Sequence, residues 1–250
     1  MKIKNKTFPA LAVSLVAGSM NASGALTVIA GWDTWTSTSS DATVVASGVT
    51  GTLANTTEQL AWNIVDERGA SSDGTWGTFA GGPAADTIVG TADNQNLELP
   101  NATTGGTLTL TITNGGADAI ELNAFHFDSY AFRPKAARAY VLSVASGDIT
   151  NGVIYTSGDD EITHVGGANS NTAHDQIDHV LTGLGDNVLA PGESAAFLLA
   201  FSSGVGDGAG GHDLWVDNIA VSGEILSVPE PSSALLLGLS GLALIARRRK

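Results

Sequence analysis

Apolar and polar positions alternate strictly through Thr107-Leu108-Thr109-Leu110-Thr111-Ile112-Thr113, placing two leucines and an isoleucine on one face and β-branched threonines on the other. A period of two predicts a half-buried antiparallel strand. Shorter strand-like runs recur at 26–30, 49–53, 59–65, 120–127, 139–145, 153–156, 177–181, 195–201 and 214–221. Turn-forming clusters separate them: Asn114-Gly115-Gly116, Ala190-Pro191-Gly192-Glu193 and the glycine-rich stretch 204–211. No convincing helical pattern interrupts this series. The expected body is therefore all-β, two packed antiparallel sheets, and within that class a jelly-roll sandwich.

Both ends depart from this pattern. Lys2, Lys4 and Lys6 precede an uncharged stretch from Phe8 to Met20, followed by Ser23-Gly24-Ala25. This is the layout of a secretory signal peptide, with cleavage by signal peptidase expected after Ala25. At the other end, Val228-Pro229-Glu230-Pro231-Ser232-Ser233 leads into the uncharged segment 234–246 and then Arg247-Arg248-Arg249-Lys250. The prolines favour an extended backbone that a protease can grip. As a helix, the apolar segment is about 20 Å long, short of a hydrocarbon core of about 30 Å, so it is expected to act as a short hydrophobic helix and transient membrane anchor. The terminal cations resist translocation and hold the tail on the cytoplasmic side. The expected organisation is a signal peptide at 1–25, a sandwich at 26–227 and a sorting segment at 228–250.

Pro229, Glu230 and Pro231, the apolar segment and the cluster Arg247, Arg248 and Arg249 occur in an order that resembles the PEP-CTERM sorting signal of exported proteins in Gram-negative bacteria that make extracellular polysaccharide. The resemblance covers about the last 23 residues. It implies recognition by an exosortase, a membrane cysteine protease, and delivery of the body to the envelope, cell surface or extracellular matrix. The closing segments of the body, 189–197 and 214–223, are similar to the last strands of concanavalin-like or carbohydrate-binding-module jelly rolls, which implies the fold more than any one activity.

Composition narrows the chemistry. The chain has 25 acidic and 11 basic residues, a net charge of −14, and no cysteine. Within the body the bases are Arg68, Arg133, Lys135 and Arg138. So acidic a surface repels nucleic acid and suits either a soluble exported protein or hard cations. Without cysteine there are no disulfides, no thiolate chemistry and no lipid-modified cysteine.

Candidate sites follow from the remaining polar and aromatic residues. Regular alternation from Trp215 to Val221 puts Asp217 on the face of Ile219 and Val221, where a carboxylate needs compensation. The resemblance to carbohydrate-binding jelly rolls implies a structural calcium there, and a hydrogen bond at the sheet end or a bulge is the competing reading. Trp76, in Gly74-Thr75-Trp76-Gly77, is the candidate indole for stacking on a sugar, against ordinary core packing. His164, His174 and His179, with Asp175 and Asp178, have the composition of a transition-metal site, but the odd spacing of His174 and His179 directs them to opposite faces of a strand. Asp159-Asp160-Glu161 reads as a hairpin tip, 204–211 as a loop, and Arg133 to Arg138 as a turn or a contact for acidic sugars. A glycosidase needs two carboxylates held a set distance apart, and none can be singled out as such a pair. A non-enzymatic structural or adhesive protein of the polysaccharide matrix is the expected function, with a carbohydrate-binding lectin next and a glycan-active hydrolase a distant third.

Overall fold

The structure, a computed structural model, describes residues 25–35, 40–56, 63–66, 71, 74–80, 95–99, 106–132, 136–164, 174–203 and 213–227. The expected signal peptide, the sorting segment with its basic tail, loop 204–211 and Arg133 lie outside these residues. Among the described residues every regular element is a strand: β1 (Thr27–Trp32), β2 (Ser40–Asp41), β3 (Val44–Val45), β4 (Val49–Thr56), β5 (Asn63–Asp66), β6 (Thr75–Trp76), β7 (Phe79–Ala80), β8 (Gln95–Leu99), β9 (Gly106–Asn114), β10 (Ala119–Ala131), β11 (Ala137–Gly147), β12 (Gly152–Thr156), β13 (Asp175–Val180), β14 (Val188–Leu189), β15 (Ser194–Ser203) and β16 (Leu214–Leu226). No described helix is long and apolar enough to cross a membrane, and the expected hydrophobic helix at 234–246 has no described structure.

One sheet runs β13-β10-β16-β1-β3, with β14 joining β10, and β8 joining β16 and carrying β5; the other runs β12-β11-β15-β9-β4-β2. Take β1, β9, β10, β11, β12, β13, β15 and β16 as the principal strands in chain order. The first, eighth, third and sixth then lie side by side in one sheet, and the second, seventh, fourth and fifth in the other. That order is a jelly roll, with β4 added beyond β9. All the pairings are antiparallel, as in β10 with β16 and β11 with β15.

The core lies between the sheets and follows the period-two pattern. Leu108, Leu110 and Ile112 of β9 are fully buried and belong to one core cluster with Phe197 and Leu199 of the neighbouring β15 and Leu142 and Val144 of β11. The threonines of β9 line the outer side and are half-buried. β16 is different. It is central, flanked along its length by β10 and on its other edge by β8 near its start and β1 near its end. Residues 214–223 are all buried, so one face meets the sandwich core while the other is roofed by further chain.

Part of that roof is the short antiparallel pair β6–β7. It packs Trp76 against Val28 and Ala220, with Phe79 alongside. Gly31 allows the approach: a Cβ there would lie 2.8 Å from Trp76 Cη2. β6, β7 and β8 and the two-residue strands had no strand signal in the sequence. Two-residue strands are too short to show a period, and β8 (QNLEL) carries two amides in five residues.

Candidate functional site

On the outer side of the β13-β10-β16 sheet, beneath the β6–β7 pair, three polar side chains line up across three strands. Register places His126 of β10 opposite Asp178 of β13, and Ala124 opposite Ser222 of β16. His126 Nδ1 lies 2.5 Å from Asp178 Oδ1, and His126 Nε2 lies 2.8 Å from Ser222 Oγ. An ionised carboxylate only accepts, so Nδ1 carries the proton and donates to Asp178, while Nε2 accepts from the Ser222 hydroxyl. Burial holds His126 below the usual histidine pKa despite its bond to Asp178. Burial pushes Asp178 upward, but hydrogen bonds from His126 and Thr78 outweigh it and leave the carboxyl below its ordinary value.

Serine, histidine and aspartate in this relay order resemble a nucleophile, its base and the group that orients the base. The surroundings give them a different task. Ser222 is fully buried in a central strand between β1 and β10, whereas a nucleophile must meet a substrate carbonyl. His126 is covered by the Phe79 ring, stacked at 5.2 Å between centroids. Asp178 accepts the Thr78 hydroxyl and the Thr78 backbone N–H at 3.2 Å, both from the β6–β7 turn. Gln176 Nε2 donates to Thr75 Oγ1 at 2.9 Å, and Asn218 Nδ2 donates to the Thr75 carbonyl at 3.0 Å. The array fastens the β6–β7 pair to the sheet.

This geometry corrects the reading of Trp76. Its ring is 1% exposed, clamped over Gly31, and offers no face for stacking on a sugar. The competing core reading describes it.

Asp217 is fully buried, as the sequence argument required, but not by regular alternation. Asp128 of β10 pairs with Asp217 while His126 pairs with Ala220, so β16 carries one extra residue here, and Asn218 takes a left-handed φ of 45°. Leu214 and Val216 face the core before this bulge, and Ile219 and Val221 after it. Asp217 Oδ1 accepts Trp35 Nε1–H at 2.7 Å, and Oδ2 accepts the Ser71 backbone N–H at 2.8 Å. Two N–H donors therefore supply the compensation that calcium was expected to provide. Donors directed at both oxygens do not fit a cation, and among the described residues no group of three His, Asp or Glu side chains is placed to hold a metal.

The other candidates separate. His164 Nδ1 lies 2.7 Å from the Ala131 carbonyl, His174 packs near Tyr130 at 6.0 Å, and His179 Nε2 lies 2.9 Å from Tyr140 Oη. Asp175 accepts the Thr163 N–H. Asp160 pairs with Arg138, which also donates from Nε to the Ile162 carbonyl at 2.8 Å.

Where β12 and β13 close the sandwich, Tyr155 is a half-buried aromatic ring that sequence reasoning missed. It stacks on His179 at 4.3 Å, and its hydroxyl donates to Glu161 at 3.1 Å. Burial holds His179 below the usual histidine range. It also pushes Tyr140 up, beyond the normal range of a phenol. Val153 and Val180 on the same two edge strands are 65% and 68% exposed. A lone tyrosine at the end of a short apolar run reads from sequence as core, so nothing there pointed to an edge.

Comparison with known proteins adds one local motif. Residues 227–250 match the PEP-CTERM protein-sorting motif. The motif implies an exported, cell-surface-directed protein, and Pro229, Glu230, Pro231 and Arg247 to Arg249 all lie inside the match. No curated protein sequence matches the chain. Among solved structures, TmCBM61 in complex with β-1,4-galactotriose is 9% identical, covers 68% of this chain and 86% of its own, and has a TM-score of 0.37. The family 11 carbohydrate-binding module from Clostridium thermocellum, in complex with a β-1,3-1,4-mixed-linked tetrasaccharide, is 11% identical over 78% of this chain and 96% of its own, with a TM-score of 0.32. The K2 cleaved adhesin domain of Lys-gingipain is 8% identical over 68% and 88%, with a TM-score of 0.33. At these scores the jelly-roll assignment rests on the strand order described above.

Proposed function

We propose that this chain is an exosortase-processed, non-enzymatic protein of the bacterial envelope or extracellular polysaccharide matrix, with the jelly roll as the delivered structural or adhesive unit. The sorting motif at 227–250 carries this reading. Signal peptidase removes 1–25, and the exosortase acts around Pro229 to Pro231 while the basic cluster holds the tail at the inner membrane. Intact mass spectrometry of envelope and medium fractions from a host with an exosortase is expected to find a body lacking both Met1 and Lys250. Recovery of only the full-length chain there would overturn the reading.

A second reading, glycan binding, is favoured by Tyr155. Its ring is braced from one side by His179 and held in orientation by Glu161, at an edge with two exposed valines. A pre-oriented aromatic ring beside a hydrogen-bonding carboxylate suits a neutral sugar better than a polyanion. On a glycan array the body is expected to bind neutral polysaccharide, and Tyr155→Ala is expected to lower binding about tenfold or more. Equal binding by parent and variant would remove Tyr155 from the site.

A further inference from the structure

Both targeting segments leave the sandwich at one pole. β1 begins at Thr27 opposite Gly223, three residues before β16 ends at Leu226, so Ala25 and Ser227 emerge side by side. β16 remains laddered to β10 up to its last residue, Leu226 opposite Ala119. The sorting motif starts at the next residue, Ser227, with no intervening linker. In the sequence Pro229 follows the ladder by three residues, a length of chain of at most about 10 Å, and the apolar segment begins at 234, at most about 30 Å of chain beyond it. A protease that cuts between those points works against the folded body.

The same pole carries the turn at 115–118 and the loops at 147–151, 182–187 and 190–193, tied together by Asp148 N to the Ser194 carbonyl and by Thr150 N to the Asp186 carbonyl, at 2.8 and 2.9 Å. Its charged groups among the described residues are Asp118, Glu121, Asp148, Asp186, Glu193 and Glu224. The one described base, Arg138, sits near the start of β11, at the opposite end. A surface of this sign is repelled by anionic lipid headgroups and attracted to a cationic protein surface.

We propose that this pole is a docking face for the membrane protease that processes the tail, and that the protease meets it with a basic rim. The proposal rests on the sorting reading above.

The chain contains no cysteine, so single cysteines can carry a photo-crosslinker cleanly. In the full-length chain, placed in a host whose exosortase is catalytically inactive but present, three positions are compared: Thr182→Cys at this pole, Asp159→Cys at the opposite end, and Ser232→Cys in the tail. Crosslinking to the protease is expected from Ser232→Cys and Thr182→Cys, with at least fivefold less from Asp159→Cys. Adding Asp118→Asn and Glu121→Gln is expected to lower the Thr182→Cys yield severalfold while the melting temperature of the body stays unchanged. A tail that crosslinks while Thr182→Cys does not, equal yields from both poles, or Thr182→Cys adducts to lipid alone would overturn the docking face and leave the sorting reading standing. No protease adduct from the tail would overturn the sorting reading itself, and the docking face with it. A yield unaffected by the two neutralising substitutions would overturn the charge complementarity.

Discussion

At Asp217, burial of a carboxylate is balanced by two directed N–H donors from segments far away in sequence, Trp35 and Ser71. Removing the acceptor leaves both donors buried without partners, at about 1–3 kcal/mol each. Asp217→Ala is therefore expected to destabilise the body by roughly 2–6 kcal/mol in urea unfolding. Asp217→Asn is expected to be destabilised as well, because its amide nitrogen would confront one of the two N–H groups. The parent's melting temperature should not respond to calcium or chelator. A rise of several degrees with calcium that Asp217→Asn abolishes would restore the ion to this position. Trp76 behaves as a core residue, so Trp76→Ala is expected to cost about 3–5 kcal/mol. Gly31→Val should weaken the same contact from the opposite side by pushing the indole off the sheet.

At the scale of elements, β6–β7 is too short to hold itself and depends on the His126-Asp178-Ser222 array and on Asn218 and Gln176 beneath it. Acid should loosen it. His126 and His179 both have folded pKa values held below 6.5 by burial, with Asp178 and Glu161 as the facing carboxylates. The unfolded chain therefore takes up protons that the folded chain does not as pH falls through about 6.5, and stability declines from there downward. Asp178, also depressed, contributes stability above its ordinary 3.8 that is lost as pH falls through its folded value, so its effect has the same sign at lower pH. The melting temperature is expected to fall from pH 7 to pH 5, with a shallower slope in a His126→Gln, His179→Gln double variant. A flat profile in the parent would contradict the burial of neutral histidines. If the array were a working hydrolase instead, a fluorophosphonate reagent would label Ser222; no labelling is expected, because the hydroxyl is fully buried.

For the whole molecule, a jelly roll whose last described strand is central has a consequence for export. β16 carries ladders to β10, β8 and β1, so the principal sheet closes only after residue 226 has crossed the membrane. The sorting motif follows at once, so on the proposed route completion of the fold is coupled to arrival at the processing step. Replacing Arg247, Arg248 and Arg249 by glutamate is expected to let the tail slip from the membrane, so that unprocessed chain accumulates in the periplasm or is degraded, as read by immunoblotting of cell fractions. The body expressed as residues 26–227, without the tail, should keep the circular dichroism and melting temperature it has in the full chain.

The alternation in 107–113, the apolar runs that became β1, β4, β5, β10, β11, β12, β13, β15 and β16, and the order of proline pair, apolar segment and basic cluster were legible in the chain, because each is a local pattern imposed by side-chain period or by the membrane. Tertiary structure decided the rest. It set the extra residue at Asp217-Asn218, where β16 changes neighbour from β8 to β1, and it supplied Trp35 and Ser71 as the donors there. The alignment of His126, Asp178 and Ser222, the burial of Trp76 over Gly31, and the edge position of Tyr155 are likewise contacts between segments tens to more than a hundred residues apart. Such contacts depend on strand order and register, and a one-residue bulge changes which face a side chain occupies without changing any local pattern that announces it.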